Sequence, residues 1–126
     1  MRIETHNLDA EFYIASLALG ILYGMKQGMV HPEVGIWSLG RPAFSTQVNK
    51  AKELSNLLKK VIYVFDEIDF WDDEPLLQQQ MIDSMIADCL QCLQQAAARN
   101  NPLIAIMSMK PFSEEDIWNK KIEYFF

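Results

Sequence analysis

The chain has 126 residues, of which 50% are hydrophobic and 22% are charged. This length suits one domain with a core of its own, and the composition is too apolar for a disordered chain. The net charge is −6, whereas proteins that bind nucleic acid through its phosphates present a basic face. We therefore expect one globular domain over residues 1–126, with no direct binding of nucleic acid.

The amino-terminal region and the most apolar segment indicate whether the chain is secreted or spans a membrane. Arg2 is followed by Glu4, Asp9 and Glu11, which differs from the basic start of a secretory signal. The most apolar stretch, residues 12–25, has 14 residues, and a membrane-spanning helix needs about 20. We therefore expect a cytoplasmic protein without a membrane partner.

The first predicted element is a helix over residues 8–27, with Gly28 as its stop. Apolar residues cover most of its surface, which predicts a central, buried helix. Its main stripe consists of Phe12, Ala15, Leu19, Leu22 and Met25. Ser16, Gly20 and Gly24 recur every four residues and predict that another backbone packs closely against that side.

Residues 31–44 are predicted to form a connector with one short helical turn, which starts at Pro32 and ends at Gly40 and Pro42. A long helix is then predicted from Ser45 or Thr46. Its apolar stripe runs at steps of three and four residues and consists of Val48, Ala51, Leu54, Leu58, Val61, Phe65 and Ile68.

The next helix is predicted to start where Asp73 and Glu74 precede Pro75, and to run to about residue 98. Its stripe consists of Ile82, Met85, Ile86, Cys89, Leu93 and Ala96. Residues 103–109 alternate in a way that allows a short strand or a buried extended segment, and Ser113 with Asp116 predicts a last short helix. The sequence thus predicts an all-α fold, a compact bundle of four to five helices with at most one or two short strands near the carboxyl end.

The most unusual segment is residues 65–74, which holds six acidic residues and no basic one. The other 11 acidic residues equal the 11 basic residues in number, so these ten positions account for the whole net charge. Acids speed the encounter with a basic partner, and aromatic residues supply binding energy. We predict an acidic-aromatic surface that binds a protein partner, formed by Asp66, Glu67, Asp69, Phe70, Trp71, Asp72, Asp73 and Glu74.

Two other interpretations of this segment are open. It could be a solvated helix end, in which Phe65, Ile68 and Trp71 face the core and the acids favour the next helix's amino terminus. It could also bind a metal, since Asp66, Asp69 and Asp73 can share a helix face. The glycine and the terminal glutamate of a calcium loop are missing, however, and no histidine stands in a Glu-x-x-His motif. We therefore predict no metal site and no cofactor.

The cysteines and histidines do not form a recognisable catalytic set. Cys89 and Cys92 lie on consecutive helical turns, with no second pair and no strand leading into the helix. They are therefore predicted to be core residues and not a zinc or redox site. His6 and His31 are predicted to be caps or surface residues, and no phosphate loop or nucleophile motif is present. We predict that the chain is not an enzyme; an enzyme with an unrecognised site is the remaining alternative.

The segment ALGILYGMKQGMV (residues 18–30), followed by Pro32-Glu33 and two long helices, resembles small bacterial helical proteins of the contact-dependent inhibition immunity type. The resemblance covers roughly the first two-thirds of the chain. It implies a helical fold and permits an immunity role, and it carries over no binding residues. We predict an immunity-type protein that binds and neutralises a basic, nuclease-like toxin domain. The alternative is a non-enzymatic adaptor or a chaperone-like homodimer that binds another protein.

Overall fold

A computed structural model describes residues 2–5, 9–99 and 107–110 of the chain. Within them lie five α-helices: α1 (Asp9–Lys26), α2 (Pro32–Trp37), α3 (Pro42–Lys50), α4 (Asn56–Phe65) and α5 (Pro75–Arg99). A 3₁₀ helix (Ile68–Trp71) joins α4 to α5, and two short strands are β1 (Arg2–Thr5) and β2 (Met107–Lys110). The fold is a compact, mostly helical bundle, which confirms the predicted class. The helix predicted after Ser113 lies outside the described residues.

The core forms where α1 packs along α5, with α4 against both helices. The side chains that fill it come from α1, α3, α4, α5 and the connecting segments. They include Ala15, Ala18, Leu22, Leu39, Phe44, Leu58, Ile62, Phe65, Ile68, Cys89 and Cys92. Each large aliphatic or aromatic side chain buried in this way stabilises the fold by about 1.5–3 kcal/mol.

The end of α1 is set by Gly28, as predicted. This glycine has a φ of 72°, a left-handed conformation that a residue without a Cβ adopts without strain. The Met29 N–H donates to the carbonyl of Gly24 at 2.8 Å, and the Gly28 N–H donates to that of Met25 at 3.0 Å. This pair of hydrogen bonds is the Schellman motif, which satisfies carbonyls of the last turn.

The packing at Gly20 and Gly24, on one side of α1, differs in part from the prediction. A Cβ at Gly24 would stand 2.6 Å from Cγ2 of Val30, so that position is closely packed. Apart from its chain neighbours and the local backbone of α1, no atom lies within 4 Å of the place where Gly20 would carry a Cβ. The prediction of close backbone packing is therefore wrong at Gly20, because Ile86 and Leu90 of α5 border it as the walls of a groove.

The prediction of one long helix from Ser45 or Thr46 is also wrong, since two helices occupy this segment. Pro42 starts α3, which ends at Lys50, and α4 begins only after Ser55. The Ser55 hydroxyl accepts a hydrogen bond from the Leu58 N–H at 3.2 Å, the usual arrangement of a helix N-cap. The predicted stripe is still the core side, since all of its members except the half-buried Ala51 are buried.

The two strands form an antiparallel pair in which Arg2 lies opposite Lys110 and Thr5 lies opposite Met107. The short strand that the sequence allowed near the carboxyl end thus lies at β2, whereas β1 was not predicted. Within residues 9–99, each helix is either too short or too polar to span a bilayer.

Candidate protein-binding surface

The residues of the acidic-aromatic surface lie together at the corner between α4 and α5. Asp66 is the C-cap of α4, the 3₁₀ helix follows, and α5 starts at Pro75 directly after Glu74. Seven of the eight predicted residues are exposed, and Glu67 is half-buried. The structure therefore places the whole predicted set at one exposed corner.

A buried side chain and hydrogen bonds from α5 fix the backbone of this corner. Ile68 is fully buried, and the amide of Gln78 on α5 donates to the Ile68 carbonyl at 3.0 Å. The same amide nitrogen donates to Oδ1 of Asp72 at 2.9 Å. A surface whose backbone is already fixed loses less conformational entropy when a partner binds.

The carboxylates of this corner have no basic partner within the described part of the chain. The ion pairs found there join Lys26 to Asp83 at 2.8 Å and Lys60 to Asp88 at 3.7 Å. Neither pair includes an acid of residues 66–74. Since none of these acids forms an ion pair with a described basic residue, the six carboxylates together present a negative field to an approaching molecule.

The two aromatic residues of the corner differ in exposure. Phe70 is 74% exposed, whereas Trp71 is 36% exposed. Phe65 and Ile68 are fully buried, as the interpretation of the segment as a solvated helix end also predicts. Phe70, and not Trp71, is therefore the side chain that a partner can cover most fully.

A neighbouring helix adds exposed apolar residues that sequence analysis missed. Helix α2 packs against the 3₁₀ helix, and it carries Trp37, 71% exposed, and Val34, 50% exposed. These residues are three positions apart, so they share one helical face. That spacing is visible in the sequence, but nothing in it indicates that α2 borders the acidic segment.

A second exposed feature is the groove between α1 and α5, with a volume of about 470 Å³. Its lining carries no charge and consists of Ser16, Leu19, Gly20, Tyr23, Ile86 and Leu90. A smaller cleft of about 230 Å³ lies between α4 and α5, beside the Lys60–Asp88 pair. Ligand pockets usually measure about 300–1,000 Å³, so this cleft is below the usual size.

The cysteines are core residues, as predicted, since Cys89 and Cys92 are buried and form no disulfide. Burial raises the pKa of the Cys89 thiol to about 12, with smaller contributions from Cys92 and Asp88. The thiol therefore stays protonated near neutral pH and is a poor nucleophile or metal ligand.

Within the described residues, no three His, Cys, Asp or Glu side chains cluster as metal ligands would.

His31 lies at the start of α2. Nδ1 of His31 accepts a hydrogen bond from the Glu33 N–H at 3.2 Å, so His31 caps α2. This contact confirms the predicted capping role. His6 lies outside the described residues.

No family model, curated protein or solved structure matches the chain. The resemblance of residues 18–30 to immunity proteins therefore stays a prediction.

Proposed function

We propose that this chain is an immunity-type protein that binds and neutralises a basic, nuclease-like toxin domain through the acidic-aromatic surface. The main support is the exposed corner that carries six carboxylates without a basic partner in the described part of the chain. A nuclease holds phosphates with lysine and arginine side chains. The acidic corner matches the charge of the nucleic acid that such a protein binds.

Inhibition in this proposal needs no catalysis by the chain itself. The carboxylates accelerate encounter with the basic face of the toxin, and this attraction weakens with salt. Phe70 then supplies apolar area that loses its water in the complex. Nucleic acid is excluded because its phosphates and the immunity protein compete for the same basic side chains.

Inhibition of purified basic nuclease toxin domains tests this proposal, beginning with any such domain encoded beside this gene. We expect inhibition to be complete near one molar equivalent and to be relieved by excess DNA. Failure to bind or inhibit the basic domains would overturn the proposal.

Charge-matched variants test the surface itself. Asp69→Asn with Asp72→Asn removes two negative charges, and Gln91→Lys with Gln94→Lys adds two positive charges at exposed positions of α5 outside the acidic-aromatic surface. Both double variants change the net charge equally. We expect the first to weaken inhibition several-fold more than the second, and equal effects would mean that only net charge matters.

The α1–α5 groove favours a second candidate, an adaptor or chaperone-like homodimer. Its uncharged lining could be covered by a second copy without bringing the acidic residues of the two chains together. Light scattering at increasing concentration tests this candidate, together with Leu90→Glu, which places a charge at the wall of the groove. A monomer at all concentrations would reject the homodimer.

A further inference from the structure

Helix α2, which packs against the 3₁₀ helix of the acidic corner, carries apolar residues that face solvent. Trp37 and Val34 are exposed on the outer side of this helix, while Gly35 is buried on its inner side. An exposed tryptophan is a candidate anchor for a partner, because tryptophan is enriched among the residues that dominate binding energy. Helix α2 itself carries one acidic residue, Glu33, and no basic residue.

Close packing holds α2 and the segment after it against the start of the acidic segment. A Cβ at Gly40 would stand 3.2 Å from the backbone nitrogen of Asp66. A Cβ at Gly35 would stand 2.8 Å from Cδ1 of Phe65. No larger side chain fits at either glycine without a shift of its neighbours, so these contacts set where α2 sits relative to the 3₁₀ helix.

The Gly40–Asp66 contact also limits the distance between the two exposed aromatic residues. Trp37 lies three residues from Gly40, and Phe70 lies four residues from Asp66. At about 3.5 Å for each residue of extended chain, their Cα atoms are at most about 30 Å apart, and helical backbone shortens this distance. One side of an ordinary protein–protein interface, about 800 Å², is roughly 30 Å wide. Both residues therefore fit within one interface.

We infer that the partner-binding surface extends from the 3₁₀ helix onto α2, with Trp37 as a second aromatic anchor beside Phe70. This inference rests on the proposed binding function and specifies the chemistry of the partner. The partner presents an apolar patch flanked by lysine and arginine side chains. Its apolar atoms cover Trp37 and Phe70, and its cations meet the carboxylates of residues 66–74.

The charge of this surface and its exposed tryptophan indicate which kind of partner it binds. The described residues of the corner and of α2 include seven acids and no base, so an acidic partner or another copy of this corner is repelled. Tryptophan is enriched among residues that dominate binding energy. An arginine over the face of Trp37 would add a cation–π contact that lysine or a neutral residue makes less well.

A defined probe tests the inference without depending on one toxin. The probe is an 18-residue helical peptide with one leucine face and one face of lysine and arginine. Its affinity is measured for wild type, Trp37→Ala, Phe70→Ala and the control Tyr23→Ala, which removes an exposed aromatic from the α1–α5 groove. We expect Trp37→Ala and Phe70→Ala each to weaken binding by about tenfold or more, and Tyr23→Ala by less than about twofold.

A second variant distinguishes a loss of binding from a loss of folding. Trp37→Lys places a cation at the same exposed position, and we expect it to weaken binding at least as much as Trp37→Ala while the helical circular dichroism is unchanged. The indole N–H signal of Trp37 in an NMR spectrum should also shift when the peptide is added to wild type.

The outcomes separate this inference from the function on which it rests. Unchanged affinity and an unshifted Trp37 signal, with weaker binding by Phe70→Ala, would restrict the surface to residues 66–74 and overturn the inference alone. Normal inhibition of a basic nuclease domain by Trp37→Lys would do the same. Absence of peptide binding to wild type would overturn the inference, whereas absence of toxin inhibition would overturn the proposed function.

Discussion

The buried carboxylate of Glu11 on α1 accepts a hydrogen bond from the backbone N–H of Ser55, 44 residues further along the chain, at 2.6 Å. The hydroxyl of the same serine caps the first turn of α4 through the Leu58 N–H. One side chain of α1 thus fixes the start of the helix that ends at the acidic-aromatic surface. The contact joins the central helix to the place where the predicted long helix is interrupted.

Removal of the Glu11 carboxylate should destabilise the fold. Glu11→Ala leaves the Ser55 N–H without this acceptor and opens a cavity at a fully buried position. We expect a loss of about 2–4 kcal/mol in the free energy of unfolding, measured by urea denaturation. Glu11→Gln keeps an acceptor oxygen, and we expect its free energy of unfolding to fall less than that of Glu11→Ala. Equal stability of wild type and Glu11→Ala would contradict the role given to this contact.

Gly20→Ala should stabilise the protein, because Gly20 lies within α1 and its Cβ would meet nothing within 4 Å beyond its chain neighbours and the local helix backbone. Alanine favours a helix over glycine by about 0.5–1 kcal/mol. We expect a gain of this size in thermal or urea unfolding. Gly24→Ala is the contrasting variant, since its Cβ would collide with Val30, and it should lose stability. A loss at Gly20 would support the close packing that the sequence predicted there.

Stability at high pH should depend on Cys89. Its pKa is raised from 9.0 to about 12, mainly by burial. Between about pH 9 and pH 12 the unfolded chain therefore holds fewer thiol protons than the folded chain, and the free energy of unfolding falls as pH rises. In this window Cys89 makes the free energy of unfolding fall by up to about 1.4 kcal/mol per pH unit, and well below the window it adds no pH dependence.

The comparison of wild type with Cys89→Ala isolates this effect from other titrating groups. We expect wild type to be the more stable protein at pH 7, and its advantage in urea unfolding to shrink from pH 8.5 upward. An advantage that is constant from pH 7 to pH 10.5 would show that the thiol ionises equally in both states.

Charge reversal at the acidic corner should act on association with a basic toxin domain. Asp69→Lys with Asp72→Lys replaces two exposed carboxylates, and we expect the association rate constant to fall by about tenfold or more at low salt. Wild-type association should slow as salt rises, because ions at about 0.15 M screen attraction beyond roughly 8 Å. Stopped-flow mixing measures both effects. Association that depends on neither salt nor these residues would place the interface elsewhere.

Phe70→Ala should weaken binding more than Trp71→Ala, because Phe70 offers about twice the exposed fraction of its side chain. We expect about 2 kcal/mol or more for Phe70→Ala, expressed mainly as faster dissociation. Trp71→Ala should also lower stability, since part of its ring is covered. Surface plasmon resonance and urea unfolding of both variants distinguish the two roles. A larger binding loss for Trp71→Ala would restore it as the main anchor.

Periodicity in the sequence was enough to predict α1, α5 and the buried side of the middle segment. Residues such as Leu58, Phe65 and Cys89 recur at the spacing of a helix, and burial follows from that spacing. The surface location of the six acidic residues of this segment was also predictable. Six charges without neighbouring bases cannot enter a core cheaply, so they remain at the surface wherever the corner lies.

Only the tertiary structure decided where the middle helix breaks, which side of α1 is open and what borders the acidic segment. At the break, the Ser55 N–H donates to Glu11, and no local pattern shows whether a distant side chain will satisfy a backbone N–H. Gly20 and Gly24 have the same local spacing and differ only in whether a neighbour covers them. Helix α2, which carries Trp37, borders the 3₁₀ helix of the corner, and Gly40 packs on Asp66, a contact between residues remote in sequence. Local periodicity determines which residues are buried, and contacts between remote segments determine which exposed residues share a surface.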